Sequence, residues 1–209
     1  MNILNIVNKF LPEKDFKSFK CFGNGHINAT YLVLTTDNEY YVVQKINTNI
    51  FKDVEQLMNN IHQVTKHMLL KNVESIHMIK TVDGLRYVQA GDDFYRCYKF
   101  LENTMVYEKV DSLKMVELSA AAFGRFHNDL ADLDPNLLVE SIPHFHDTPH
   151  RYKDFLEAVK NDKCGRAKDC QTEIEAIKKY ADYYTLITDG IEKGEVKLHI
   201  THNDPKINN

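Results

Sequence analysis

Alternation of side-chain character is the feature that most constrains this fold. From residue 16 to residue 101, β-branched and aromatic residues alternate with polar ones. Successive side chains on a strand point to opposite faces, so this period of two predicts half-buried strands. Turn signals such as Asp83-Gly84 divide the segment. The predicted strands are residues 29–35, 39–46, 75–81, 85–89 and 94–101, and their short connections favour an antiparallel meander.

Helical spacing interrupts this meander once and dominates after Glu102. Residues 54–68 carry apolar side chains three and four positions apart, which predicts a helix with one face on the sheet. Asp111-Ser112 is a capping signal for a helix that directs Leu113, Val116, Ala120, Phe123, Phe126 and Leu130 toward a core. A short helix near residues 3–11, a second long helix at 174–187 and a strand at 196–200 complete the prediction.

These elements predict an α+β protein in two parts. Residues 1–102 form a β-rich N-lobe with one embedded helix, and residues 103–209 form the first part of a helical C-lobe. The formal net charge is −4, so the composition lacks the excess of basic residues that is typical of proteins that bind nucleic acid or an anionic membrane. The cysteines show no paired spacing, so free thiols in a reducing cytoplasm are the favoured interpretation. They are Cys21, Cys97, Cys164 and Cys170.

The strongest chemical signal lies at residues 202–209, where the sequence reads H-x-D-x-K-x-x-N. Phosphoryl transfer to a hydroxyl needs a carboxylate that orients the nucleophile and accepts its proton. It also needs a cation near the phosphoryl group and an oxygen ligand for magnesium. Asp204, Lys206 and Asn209 match these three requirements, and His202 completes the motif as the predicted strand leads into it. The alternative is a polar tail with accidental spacing.

A glycine-containing loop lies between two predicted strands, at residues 22–28. Gly23 and Gly25 leave room for backbone N–H groups to approach phosphate oxygens. Two glycines in a hairpin are also typical of an ordinary tight turn. The next strand places Val43 and Lys45 on one face, which suggests an apolar cover for a nucleotide base and a cation for its phosphates. On the following helix, Glu55 is the candidate to pair with Lys45, although Asp53, Gln56 and Asn60 are alternatives.

Taken in order, these segments resemble the aminoglycoside phosphotransferase/choline kinase superfamily, which shares the protein-kinase-like two-lobed fold. More narrowly, they resemble the N-acetylhexosamine 1-kinase-like branch. The resemblance extends over essentially the whole chain. It is carried by FGNGHIN at 22–28, VVQKIN at 42–47, FKDVE at 51–55, FHDT at 145–148, and THND at 201–204 with Lys206 and Asn209.

The resemblance implies ATP- and Mg²⁺-dependent transfer to the anomeric hydroxyl of an N-acetylhexosamine, a small-molecule acceptor. It makes Asp204 the catalytic base and Asn209 a magnesium ligand, and it assigns the phosphates to Lys45. It also implies that Phe100, Leu101 and Glu102 form the hinge that meets adenine. Within the glycine loop, the resemblance implies that His26 reaches toward phosphate or sugar. Asn28 occupies a position where a glycine would leave the backbone less restricted.

One departure is the absence of a second metal-binding acid, which the family places shortly after the catalytic loop. We therefore expect these 209 residues to be an N-terminal fragment of a longer enzyme, one that binds nucleotide weakly and does not turn over alone. An aminoglycoside, choline or homoserine acceptor remains an alternative. So does a non-catalytic module that binds nucleotide or sugar.

A histidine-rich loop precedes the second half of the helical region. It contains His144, His146, Asp147 and His150. Metal-binding histidines usually belong to a matched set on a rigid element, so local hydrogen bonding is the favoured interpretation. The FHDT match suggests that this loop shapes the acceptor pocket.

Overall fold

The computed structural model describes residues 2–23, 25 and 27–205, which form six strands and six α-helices. The strands are β1 (Phe16–Cys21), β2 (Ala29–Thr35), β3 (Tyr40–Ile46), β4 (Met78–Ile79), β5 (Val88–Ala90) and β6 (Asp93–Lys99). The helices are α1 (Ile3–Phe10), α2 (Val54–Leu70), α3 (Leu113–Asp129), α4 (Thr148–Asn161), α5 (Gln171–Lys179) and α6 (Leu186–Glu192). This α+β composition is the predicted class.

All pairings in the sheet are antiparallel, as predicted. The strand order is β1-β2-β3-β6-β4, and β5 also pairs with β6. Strand β2 has the bounds that alternation predicts, whereas β4 and β5 are shorter than expected. Strand β6 is central, because it bonds to β3 on one side and to β4 and β5 on the other.

Helix α1 forms the main core with one face of the sheet. The Asn2 side chain caps its first turn by accepting a hydrogen bond from the Leu4 amide at 3.2 Å. Ile6 and Val7 are fully buried in a cluster with sheet residues from β2, β3, β5 and β6. Val33, Val43 and Cys97 are the fully buried sheet residues of this cluster, which defines what we call the α1 face of the sheet.

Helix α2 contacts the opposite face, which we call the α2 face. Asp53 caps it, accepting a hydrogen bond from the Gln56 amide at 2.9 Å. Its Leu57 and Met58 pack in a cluster with Ile46 of β3 and Phe94 of β6, which face each other across the ladder. Ile46 and Val43 are three positions apart on one strand, so they lie on opposite faces. Each face of the sheet therefore carries one helix.

Helix α3 starts at the predicted cap but buries less than its pattern suggests. The Ser112 side chain accepts a hydrogen bond from the Met115 amide at 3.2 Å. No residue within α3 is buried, and Leu113 is 88% exposed, so the expected core face is wrong at this end. Only the C-terminal end meets a core, where Leu130 packs with Met68 and Ile200.

Two further predictions fail for backbone reasons. The long helix at 174–187 is broken into α5, a 3-10 turn at Ala181–Tyr183 and α6. The Tyr184 hydroxyl donates to the Ile177 carbonyl at 2.8 Å, which satisfies one of the acceptors that a helix end leaves open. Residues 197–200 form no strand, because no described strand pairs with them, and Ile200 instead joins the cluster beneath α3.

The chain divides into two compact units. One comprises Met1–Ser141 together with His199–Asn209, and the other comprises Ile142–Leu198. The sheet and α3 both belong to the first unit. The predicted lobe boundary at Glu102 lies in the segment that connects β6 to α3, and it stays a prediction. Within the described part of the chain, we find no helix with the length and apolar character needed to cross a membrane.

Candidate active site

The register of β2, β3 and β6 decides which side chains share the α2 face. Gln44 lies opposite Thr30 on one side and opposite Arg96 on the other. The next row toward the far end of β6 contains Leu32, Val42 and Tyr98. Thr30, Gln44 and Arg96 thus form a polar row across three strands, beside an apolar row in which Val42 is 2% exposed.

Arg96 is a desolvated cation held by an amide. Its Nε and Nη2 both donate to Gln44 Oε1, at 2.9 and 2.8 Å, and Gln44 Nε2 donates to Thr30 Oγ1 at 3.0 Å. Burial lowers the pKa of Arg96, and the only nearby ionisable group that opposes this is Tyr98. No carboxylate of the described residues forms an ion pair with Arg96. The polar row therefore holds a cation that lacks a counter-charge among these residues.

Val43 and Lys45 lie on the other side of the sheet. Val43 is fully buried against α1, so it does not offer the open apolar cover that the sequence suggested. Lys45 Nζ lies 2.8 Å from Asp93 Oδ1, and this pairing raises the pKa of Lys45. The expected partnership with Glu55 is not formed: Lys45 is on the α1 face, whereas Glu55 belongs to the helix on the α2 face. Alternation identified the shared face correctly but not which helix covers it.

The predicted hinge follows β6 and is bordered by aromatic rings. The Phe100 amide donates to the Tyr40 carbonyl at 3.0 Å, which extends the ladder by one bond beyond β6. The Phe100 ring lies 6.0 Å from that of Tyr40 and 5.7 Å, edge-on, from that of Phe22. The Leu101 carbonyl accepts from Thr104 Oγ1 at 2.9 Å, and Glu102 is exposed. Phe22 precedes the glycine loop, so this aromatic group links the loop's entrance to the hinge.

The glycine loop connects β1 to β2 at the same end of the sheet as the polar row. Gly23 has a φ of +80°, a left-handed conformation that favours glycine. Gly25 has open space where a Cβ would stand. Asn28 Oδ1 accepts a hydrogen bond from the Asn47 amide at 3.0 Å, which fastens the loop's exit to the chain that leaves β3. His26 lies outside the described residues.

The described part of the predicted catalytic loop, residues 202–205, contacts α3. The His202 amide donates to His127 Nε2 at 3.0 Å, and the Asp204 amide donates to His202 Nδ1 at 3.3 Å. The His202 ring packs edge-on against Phe123 and Phe126, at centroid distances of 5.2 and 6.1 Å. In each bond an imidazole nitrogen is the acceptor, so that nitrogen carries no proton. Asp204 is exposed, and Lys206 and Asn209 lie outside the described residues.

The histidine-rich loop, in the second unit, forms a helix cap. Asp147 caps α4 by accepting from the His150 amide at 2.9 Å, and its other oxygen pairs with His144 Nδ1 at 2.9 Å. The rings of His144 and His150 are stacked 4.2 Å apart with an interplanar angle of 12°. Potential ligand atoms of these three residues lie within 4.8 Å of one another. Imidazole binds metal in the plane of its ring, and two parallel rings do not converge on one ion, so the geometry favours local hydrogen bonding.

Comparison with known proteins identifies the fold. No protein-family model matches the chain. The structure of APH(2″)-IIia with GDP and kanamycin superposes with a TM-score of 0.58 at 12% identity, covering 86% of this chain and 59% of that one. Spectinomycin phosphotransferase APH(9)-Ia, with ADP and spectinomycin, gives 0.60 at 10% identity, covering 97% and 63%. Amicoumacin kinase hAmiN, with AMP-PNP, Ca²⁺ and Ami, gives 0.53 at 10% identity, covering 77% and 50%.

The chain has the kinase-like α+β fold of these phosphotransferases. It spans 59% and 63% of the length of the first two. At this level of identity the likeness establishes fold.

Three residues of the candidate site escaped the sequence interpretation. Gln44 and Arg96 are separated by 52 positions, and only the β3–β6 register brings them together. Arg96 carried one usable signal, because it is a charged residue with aromatic and apolar neighbours at 94–95 and 97–98, and such a residue calls for a partner or a ligand. His127 lies on α3, and its hydrogen bond to the His202 amide spans 75 positions, so no local pattern identifies it.

Proposed function

We propose that this chain forms the nucleotide-binding part and the catalytic loop of an ATP-dependent small-molecule phosphotransferase. The observation that carries the proposal is the shared fold with proteins that were captured with GDP, ADP and AMP-PNP. The α2 face adds support, because a desolvated guanidinium without a counter-charge suits an anionic ligand. We further propose that the reaction takes place in the cytoplasm, where thiols such as the four free cysteines stay reduced.

The nucleotide is proposed to lie along the α2 face, with its base at the hinge end. Val42 and Leu32 are buried there, so the base is proposed to meet the ring of Phe22, which is 38% exposed, and the half-buried ring of Phe100. From Phe100 to Arg96 the strand advances by four residues, or about 13 Å at roughly 3.3 Å per residue. That distance brings the phosphates of an extended nucleotide to the polar row and to the glycine loop.

Arg96 then takes the phosphate-binding role that the sequence gave to Lys45. Gln44 occupies two of its N–H groups, and a guanidinium has five, so three remain for phosphate oxygens. The amide fixes the plane of the guanidinium without neutralising it, so the charge is preorganised. Backbone groups of the loop around Gly23 and Gly25 are proposed to approach the same phosphates.

The chemical step is assigned to the catalytic loop. Asp204 orients the acceptor hydroxyl and accepts its proton while the oxygen bonds to the γ-phosphorus and ADP leaves. The hydrogen bonds from the His202 amide to His127 and from the Asp204 amide to the His202 ring set the backbone path of this loop. Lys206 is proposed to face the transferred phosphoryl group. The amide oxygen of Asn209 suits magnesium, which when bound neutralises charge on the phosphates.

The acceptor is proposed to be the anomeric hydroxyl of an N-acetylhexosamine. Support comes from the sequence segments FGNGHIN, VVQKIN and FHDT, which resemble the N-acetylhexosamine 1-kinase-like branch of the superfamily. Two of the structural neighbours are complexes with kanamycin and with spectinomycin, so an aminoglycoside acceptor is the competing candidate. The cap formed by Asp147 keeps the FHDT phrase in a fixed conformation at the start of α4.

The test is phosphate transfer from γ-labelled ATP, measured on the chain within its natural full-length protein. N-acetylhexosamines, aminoglycosides, choline and homoserine serve as acceptors, and Asp204→Asn is the matched variant. We expect labelled hexosamine phosphate, and a loss of turnover of at least 10²-fold in Asp204→Asn, as is typical of a lost general base. Equal rates in the two proteins would refute the mechanism. Transfer only to aminoglycosides would refute the acceptor, and ATP binding without transfer would leave a binding module.

A further inference from the structure

A basic pocket lies beside α2, in the first unit. Its volume is about 370 Å³, and it is formed by α2 together with the chain from Val73 to Arg86. Apolar walls come from Leu69, Val73 and Ile76. Its basic lining residues are His62, Lys66, His77, Lys80 and Arg86. A volume in this range accommodates a small ligand.

Arg86, which lines this pocket, has a side-chain donor without an acceptor. Its Nε is a buried nitrogen without a hydrogen-bond partner, the one such side-chain atom in the part of the chain that the structure describes. A guanidinium remains protonated in proteins, so the group cannot avoid this position by losing its charge. A buried donor left without an acceptor is uncommon in native structures and frequently indicates an ion or ligand that completes the site.

The positive charges around Arg86 are not neutralised by neighbouring acids. No described carboxylate forms an ion pair with Lys66, Lys80 or Arg86. Glu74 is the acidic residue that lines the pocket, facing three cations and two histidines. Burial lowers the pKa of His62, and Arg86, Lys80 and Lys66 lower it further in that order. The pocket therefore has a net positive potential that reaches an imidazole on α2.

We propose that this pocket binds the phosphate group of a small molecule, at a site that borders the α2 face through Met58 and Met78 and does not include the polar row. Phosphate carries about two charges and several acceptor oxygens, which match donors that converge from α2 and from the opposite wall. A guanidinium can contact two of these oxygens at once. The site does not depend on the proposed phosphotransferase activity, because the polar row of Arg96 is not among its lining residues.

The experiment is an NMR titration of the His62 imidazole with inorganic phosphate, at ionic strength held constant with chloride. We expect a saturable change in chemical shift. We also expect the pKa of His62 to rise on binding, because a nearby anion stabilises the imidazolium. Arg86→Met should weaken the affinity by roughly tenfold or more, since it removes charge-assisted hydrogen bonds. Arg125→Met, the same change at an exposed arginine of α3, should leave the affinity unchanged.

Two further variants separate the explanations. Arg86→Lys retains the charge but not the forked donor, so it should bind phosphate more weakly than the parent and better than Arg86→Met. Arg96→Met should leave the His62 response intact. The proposal is overturned by a response that never saturates, by equal affinities in Arg86→Met and Arg125→Met, or by loss of the His62 response in Arg96→Met. Acetate binding as tightly as phosphate would also overturn the phosphate assignment.

Discussion

Replacing the two candidate cations separately tests which face of the sheet receives the nucleotide. Arg96→Met removes the guanidinium on the α2 face, and Lys45→Met removes the ammonium on the α1 face. Hydrogen bonds to charged groups contribute about 1.5–3 kcal/mol each. Loss of one such bond to phosphate would weaken nucleotide binding by about 10- to 150-fold, at about 1.4 kcal/mol per tenfold.

The expected effect of Lys45→Met is much smaller. Lys45 pairs with Asp93, and the two side chains are 41% and 42% exposed. Such surface pairs contribute about 0–1 kcal/mol to stability, and this one lies on the face opposite the proposed site. Lys45→Met should therefore remain folded, because a surface pair contributes little to stability. Its nucleotide affinity should stay within about twofold of the parent value, because Lys45 lies on the face opposite the proposed site.

A fluorescent ADP analogue displaced by ATP provides the measurement, and urea unfolding verifies that each variant is folded. Gln44→Glu is an informative third variant, because a carboxylate beside Arg96 would neutralise the guanidinium while preserving the contact. We expect it to weaken binding without lowering the free energy of unfolding. Weaker binding by Lys45→Met than by Arg96→Met would refute the assignment of faces.

Three other perturbations probe the frame around the site. The pKa of Glu39 is lowered to about 2, chiefly by its hydrogen bond with Lys14. The stabilising contribution of Glu39 is therefore complete at neutral pH and is lost between about pH 4.5 and 2. The acid-induced fall in melting temperature should be shallower in Lys14→Met, and an unchanged profile would contradict this. Thr35→Val leaves the partly buried Glu39 amide without its 2.9 Å acceptor and should cost about 1–3 kcal/mol in urea unfolding, whereas the serine variant should lose less. His127→Phe removes the acceptor of the His202 amide and should lower turnover of the full-length protein more than nucleotide affinity. Recovery of turnover in His127→Gln would identify the hydrogen bond as the cause. Equal loss in both variants would argue for packing instead.

Local signals in the sequence were sufficient for most elements of the sheet and for the starts of helices α2 and α3. Strand β2 has the predicted bounds because alternation and the following turn act within a few residues. Helix α2 begins at Val54, where its apolar periodicity begins, and α3 begins directly after the predicted Ser112 cap. Caps and periodicity are local properties, so a single sequence contains them.

Properties that depend on distant segments were not recoverable. Alternation shows that Val43 and Lys45 share a face, but only packing shows that α1 covers it. The polar row depends on the register of three strands, which no local pattern specifies. Residues 196–200 alternate as a strand would, yet a strand needs a neighbour with free backbone groups, and none of the described strands supplies them.

The burial of Cys97 at the centre of the sheet makes it an internal reporter. Its thiol is fully buried, and burial raises its pKa to about 12, so almost no reactive thiolate exists at neutral pH. The other three cysteines are exposed. A thiol-specific reagent should therefore modify three sites rapidly. The rate at the fourth should follow the opening of the β3–β6 ladder, so it measures how often these two strands separate.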